Sequence, residues 1–199
     1  MTPSHVQFVA LFRDTPILRS RDLEKAGITR IELSRYVAAG ELRRIRRGVY
    51  CRPDYLPNEH GDFAIIATKI PGSLICLLSA LRYHGLTTQA PSEVWIAIDR
   101  KARAPRFDYP SLKVVRFSQE ALSYGVETKT IEGVTVRITT IEKTIADCFK
   151  YRNKVGLDVA LEALRDAVAS RGFDMDELWR CAKIDRVSNV IRPYLEALV

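Results

Sequence analysis

Arg43, Arg44, Arg46 and Arg47 place four guanidinium groups in five residues, and Gly48, Val49 and Tyr50 then return the chain to apolar character. A guanidinium fork bonds phosphate oxygens in pairs and enters a narrow minor groove, so this spacing suits a nucleic-acid backbone. A basic run taken alone describes a solvated face equally well. Just upstream, Thr29, Arg30, Ser34 and Arg35 carry donors of the kind that read base edges, and Arg52 follows the basic run. Arginine bonds guanine in the major groove, and apolar atoms such as those of Ile31 and Ala38 can meet the thymine methyl. All nine of these polar residues are expected to contact DNA.

A second chemistry is hinted at by Glu127-Thr128-Lys129 with Asp99 or Asp108 upstream, the acidic-plus-lysine set of metal-dependent nucleases. Such a triplet arises by chance in a chain this rich in charge. There is no phosphate-cradling glycine loop, no Gly-x-Ser-x-Gly elbow and no His-Glu-x-x-His, so no catalytic residue is assigned. Cys51, Cys76, Cys148 and Cys181 form no Cys-x-x-Cys pair and read as reduced thiols. His5, His60 and His84 are equally scattered. No metal site and no cofactor is expected.

With 199 residues and 47% hydrophobic content the chain can bury a real core. It shows no long uncharged apolar stretch and no signal-peptide pattern at its start, which predicts a cytoplasmic protein with no membrane partner. The net charge of +7 is unevenly placed: residues 1–55 hold 11 Lys and Arg against 6 Asp and Glu, and the remainder hold 20 against 18. A positive field on one segment of a nearly neutral body implies a polyanion for that segment and another task for the rest.

Helix and strand periods supply the scaffold for these residues. Val6, Val9 and Ala10 have helical spacing after a possible Ser4 cap, residues 17–19 read as extended, and Ser20 is a candidate cap for a helix over 21–26 closed by Gly27. Thr29 caps a helix to Ala39 that Gly40 stops. Helix, glycine turn, helix is the DNA-binding helix-turn-helix pattern. On its wheel Leu33, Tyr36 and Val37 share the face to be buried, and Ile31, Arg35 and Ala38 lie opposite, flanked by Ser34. Residues 42–46 and 49–52 make a hairpin about Arg47-Gly48. Because Leu42 and Ile45 would fall on opposite faces, a bulge or a later strand start is expected. Residues 53–58 read as a linker.

Beyond it, 63–70 and 74–84 are apolar helical stretches broken at Pro71-Gly72. Residues 94–98 and 112–117 read as buried strands, joined by a loop that carries Arg100, Lys101, Arg103 and Arg106. Residues 126–131 and 134–138 alternate about Glu132-Gly133, a hairpin signal. Helices follow over 141–151, 157–170, 175–182 and 188–198. The fold class is therefore α+β: a winged helix-turn-helix over 1–57, then a larger α+β domain over 58–199 with a small sheet and a helical C-terminal half. Lys150, Arg152 and Lys154 could join the Arg100–Arg106 loop in a second working surface.

Set out in order, Gly40-x-Leu42-x-Arg44-x-x-Arg47-Gly48-x-Tyr50, Ser79-Ala80-Leu81-x-x-His84-Gly85-Leu86, the strand around Trp95, and Thr140-Ile141-Glu142-Lys143-Thr144-Ile145-Ala146-Asp147 resemble the AbiEi-type antitoxins of type IV toxin-antitoxin (abortive infection) systems. The resemblance implies a winged-helix transcriptional regulator that binds double-stranded DNA at promoter repeats and represses its own operon. It also implies a cognate nucleotidyltransferase-like toxin, countered without a stable complex. The competing reading is a metal-dependent DNA nuclease delivered by its winged helix.

Overall fold

Gly27 adopts φ +89° and Thr29 caps the helix that follows, so the helix-turn-helix forms where the sequence places it. The computed structural model describes residues 5–13, 15–56, 58–107 and 109–198, which leaves the Ser4 cap, Pro57 and Asp108 outside the described residues. Two compact units emerge, one of residues 1–72 with 129–136, the other of residues 73–128 with 137–199.

The first unit contains α1 (His5–Leu11), β1 (Ile17–Arg19), α2 (Ser20–Lys25), α3 (Arg30–Ala38), β2 (Arg43–Arg46), β3 (Val49–Cys51) and α4 (Gly61–Lys69). Its helical core is Phe8, Phe12, Leu23, Ile28, Leu33 and Leu42. The first helix packs through the aromatic pair Phe8 and Phe12, one turn apart, while Val9 is 50% exposed. Phe8 also stacks on Tyr36 of α3 at 4.0 Å between centroids. Leu33 is buried and Tyr36 and Val37 pack against the same cluster, as the wheel requires. Leu33→Ala should therefore cost about 2–5 kcal/mol as a core cavity. Thermal unfolding tests this, and an unchanged midpoint would mean that α3 turns a different face to the core.

Ser20 is not the cap of α2. Arg19 holds the extended cap position without a side-chain bond, and Ser20 is already helical. Strand β1 runs straight into the helix there, and the Ser20 N–H donates to the Gly48 carbonyl at 3.0 Å. Strand β3 lies between β1 and β2, antiparallel to both, with Cys51 opposite Ile17 and Arg43. The register shifts between Arg44 and Arg46, the bulge that the positions of Leu42 and Ile45 demand. It lets Leu42 reach the core while Ile45 stays half-buried.

The stretch read as a linker carries fixed contacts. Tyr55 is buried, and its hydroxyl donates to the Glu132 carboxylate, whose other oxygen accepts the Asn58 N–H at 2.8 Å. Burial and then Glu132 push the Tyr55 hydroxyl above its usual range. Glu132 and Gly133 sit at φ +50° and +70° in the tip of a hairpin, the pattern of a tight type I′ turn.

The rest of the chain forms β4 (Leu74–Ile75), α5 (Leu77–Tyr83), β5 (Val94–Asp99), β6 (Leu112–Phe117), α6 (Gln119–Ser123), β7 (Val126–Ile131), β8 (Val134–Thr139), α7 (Ile141–Lys150), α8 (Arg152–Val155), α9 (Leu157–Ala169), α10 (Met175–Asp185) and α11 (Ser188–Glu196), all of it in the second unit except residues 129–136 of the β7–β8 hairpin. The sheet order is β6-β5-β4-β8-β7. Leu74 and Ile75, expected to open a helix, form its central strand, antiparallel to β5 and parallel to β8. Two buried residues are too short a segment to show a period of two. Helices α5, α7, α9, α10 and α11 supply the rest of one continuous apolar core.

An ionic cluster lies inside that core. Lys143, Asp147 and Asp185 have fully buried side chains. The Lys143 ammonium donates to Asp147, one helical turn away, and to Asp185 of α10 at 3.0 Å. Lys150 donates to the other Asp185 oxygen at 2.7 Å. The ammonium lies 4.7 Å from the centre of the Phe117 ring, a cation-π contact. At Gly125, φ +63°, an added Cβ would stand 2.6 Å from the Lys143 Cβ, so a larger residue cannot sit there without movement. Enclosure outweighs Lys143 and pushes the Asp147 carboxyl well above its usual range. Burial also opposes ionisation of Asp185, yet Lys143 and Lys150, with the Asp147 hydrogen bond, hold that carboxyl below its usual range.

Candidate nucleic-acid interface

The exposed face of α3 is chemically mixed. Ile31 is 67% exposed, a large apolar side chain left in solvent among Arg30, Ser34 and Arg35. Thr29 is committed to a capping box: its hydroxyl accepts the Glu32 N–H and donates to the Glu32 carboxylate at 2.8 Å, and that carboxylate accepts the Thr29 N–H at 2.7 Å. The Arg30 Nε donates to Glu24 at 2.8 Å, a bond that holds its guanidinium above the ordinary arginine range and ties α3 to α2. Ser34 donates back to the Arg30 carbonyl at 3.1 Å. Arg35 presents an exposed guanidinium one turn beyond Ile31.

The wing divides its arginines between two tasks. Arg43 donates to the Tyr55 carbonyl at 2.6 Å and so braces the base of the hairpin. Arg52 pairs with Asp54, which raises the guanidinium and lowers the carboxyl. Arg44 and Arg47 are exposed on the hairpin itself, and the Arg46 side chain lies outside the described residues. Gly48 supplies the turn with φ +77°. Sequence reasoning missed one cation at this turn: Lys69, at the end of α4, donates its ammonium to the Arg47 carbonyl at 3.1 Å and stands 3.8 Å from a Cβ built on Gly48. Its distance along the chain from the arginine run leaves no local signal.

In the second unit the expected surface is only partly assembled. Arg100, Lys101, Arg103 and Arg106 are exposed on their loop, whose start is pinned by Arg116 bonds to the carbonyls of Asp99, Arg100 and Ala102, the last at 2.7 Å. Lys150 is drawn into the buried cluster, Arg152 bonds the Phe149 carbonyl at 3.0 Å, and Lys154 lies over the Tyr151 ring. Of the nuclease-like set, Asp99 and Glu127 do not converge. Asp99 is on β5 and Glu127 on β7, with β4 and β8 between them. That separates the two backbones by about 14 Å, whereas ligands of one cation lie within about 2–2.6 Å of it. All four cysteines are buried free thiols, and among the described residues no group of three His, Cys, Asp or Glu side chains converges on a possible metal position.

Residues 7–53, from α1 to the end of the wing, match the family described as AbiEi antitoxins, transcriptional regulators. This segment is similar to that family. It spans the helix-turn-helix and both strands of the bulged hairpin, so the family match and the basic, exposed surface coincide. No curated protein matches the chain. Among solved structures, the crystal structure of the RV2827C protein from Mycobacterium tuberculosis superposes on 100% of this chain and 81% of that one, with a TM-score of 0.61 and 15% identity. At that identity the likeness is one of fold, and it reaches past the segment matched by the family through the α+β body. No helix among the described residues is long and apolar enough to cross a membrane.

Proposed function

We propose that the chain is a cytoplasmic DNA-binding antitoxin that represses its own operon at promoter repeats and counteracts a nucleotidyltransferase-like toxin without a stable complex. The bulged arginine hairpin directly after a capped α3 with an exposed Ile31, Ser34 and Arg35 carries this reading. In it Thr29, Arg30, Ser34 and Arg35 meet the major groove, and Arg43, Arg44, Arg46, Arg47 and Arg52 meet phosphates or the minor groove. Thr29 contributes through its helix end, since its hydroxyl is occupied by the capping box. Repression belongs to residues 1–57 and relief of toxicity to residues 58–199. The nuclease reading gains no support from the strand order, which keeps Asp99 from Glu127.

A reporter fused to the chain's own promoter, measured beside growth during toxin co-expression, separates the two tasks. The variant with Arg43, Arg44, Arg46 and Arg47 changed to Ala should lose repression and still protect cells at normal protein levels. Loss of protection together with repression would place antitoxicity in DNA binding and overturn the division of labour.

A further inference from the structure

We propose that the open groove between α6 and the C-terminal end of α10 binds a nucleotide, with its phosphates held by Lys183 and Arg186 and its nucleoside laid against Tyr124 and Ile184. The groove has a volume of about 340 Å³ and is lined by Glu120, Tyr124, Arg180, Lys183, Ile184 and Arg186. That volume lies within the range of small-molecule sites, about 300–1,000 Å³. Three of its six lining residues are cations and one is an anion, so the recognised group is anionic. Tyr124 and Ile184 add an aromatic and an aliphatic surface, which inorganic phosphate alone would not use.

One wall is already fixed. The Tyr124 hydroxyl donates to Glu177 at 3.1 Å, and the same carboxylate accepts the Arg180 Nε at 2.7 Å. Ring and guanidinium are thereby oriented together, as a preorganised site requires. Much of the Arg180 charge is spent on Glu177 and Asp174, so the phosphate falls to Lys183 and Arg186. Both are exposed.

Arg186 is a further indication. It adopts φ +60° directly after α10, where the Arg186 N–H donates to the Lys183 carbonyl at 3.1 Å and the Val187 N–H to the Ala182 carbonyl at 2.8 Å. These two bonds make a Schellman ending whose left-handed position favours glycine. An arginine that accepts this strain and lines a groove points to a side-chain requirement there. The same two bonds occupy carbonyls that would otherwise repel an anion at a helix C-terminus. Glu120, across the groove, is placed to accept the ribose hydroxyls, which complement a carboxylate as phosphate complements the cations.

Isothermal titration of the full chain with ATP tests the site. Saturable one-to-one binding is expected, weakened about tenfold or more by Arg186→Gly and by Lys183→Ala. Arg186→Gly is the informative variant, because glycine takes the left-handed position freely and the melting temperature should hold or rise while binding falls. A variant with Arg43, Arg44 and Arg47 changed to Ala should bind ATP like the parent chain, which separates this groove from the DNA surface. Absence of saturable heat up to about 1 mM ATP overturns the proposal. So does undiminished binding by Arg186→Gly, loss of binding in the wing variant, or displacement by pyrophosphate as effective as by ATP itself.

Discussion

Lys143→Met is expected to destabilise the full chain by about 3–5 kcal/mol, the cost of leaving buried carboxylates without their cation. The side chain is wholly enclosed and neutral methionine fills most of its volume, so the loss is electrostatic rather than a cavity. Asp147 and Asp185 both accept from the Lys143 ammonium, and only Asp185 has a second cation, Lys150. Adding Asp147→Leu to Lys143→Met removes an acid together with its base and leaves the Lys150–Asp185 pair, so the double variant should regain part of the loss. Replacing a buried pair by apolar groups is often neutral or favourable. Urea unfolding of the two variants and the parent measures this, and a single-variant loss below about 1 kcal/mol would show that the cluster contributes little net stability. The share of the pH dependence that comes from Asp185 has a defined sign. The Asp185 carboxyl is held below its unfolded value, so its contribution is present above about pH 4 and is lost as the pH falls through the folded value.

Each single change of Arg43, Arg44, Arg46 or Arg47 to Ala should flatten the log-log salt dependence of DNA binding by about 0.9 where that arginine meets a phosphate, and the four together by at most about 3.6. Such losses weaken all sequences alike, because phosphate carries no base identity. Arg43 should show the smallest binding effect of the four, since it also braces the hairpin by its bond to the Tyr55 carbonyl. Arg35→Ala should instead cost about 1–3 kcal/mol on the specific promoter duplex and much less on unrelated DNA. Fluorescence anisotropy at several salt concentrations reads both effects. If no wing arginine changes the slope, the assignment of the hairpin to the DNA backbone fails.

Local chemistry made the first unit readable. A glycine turn, a hydroxyl cap with Glu32 three residues on, and apolar positions at helical spacing all act over one or two turns of chain, and the structure forms α3 where they lie. Even the bulge was legible, since Leu42 and Ile45 cannot share a face across an unbroken strand. Spacing points to Val9, whereas Phe8 and Phe12 meet the core, because a wheel of few residues does not say which of two apolar stripes meets a partner.

The sequence by itself determined the α+β class, the helix-turn-helix with its basic hairpin, and the uneven charge that marks the first segment for a polyanion. Only the tertiary structure decided what long-range pairing controls. Leu74 and Ile75 became a central strand because two neighbouring strands bond to them, not because of any pattern within the pair. Lys143, which any local scale places in solvent, is buried because Asp147 lies one turn away and Asp185, 42 residues along, closes the charge balance. The groove of Tyr124, Lys183 and Arg186 likewise joins α6 to the end of α10. Local signals fix elements through interactions a few residues apart, whereas a buried charge or a binding groove depends on which distant elements meet, and one sequence carries no record of that distance.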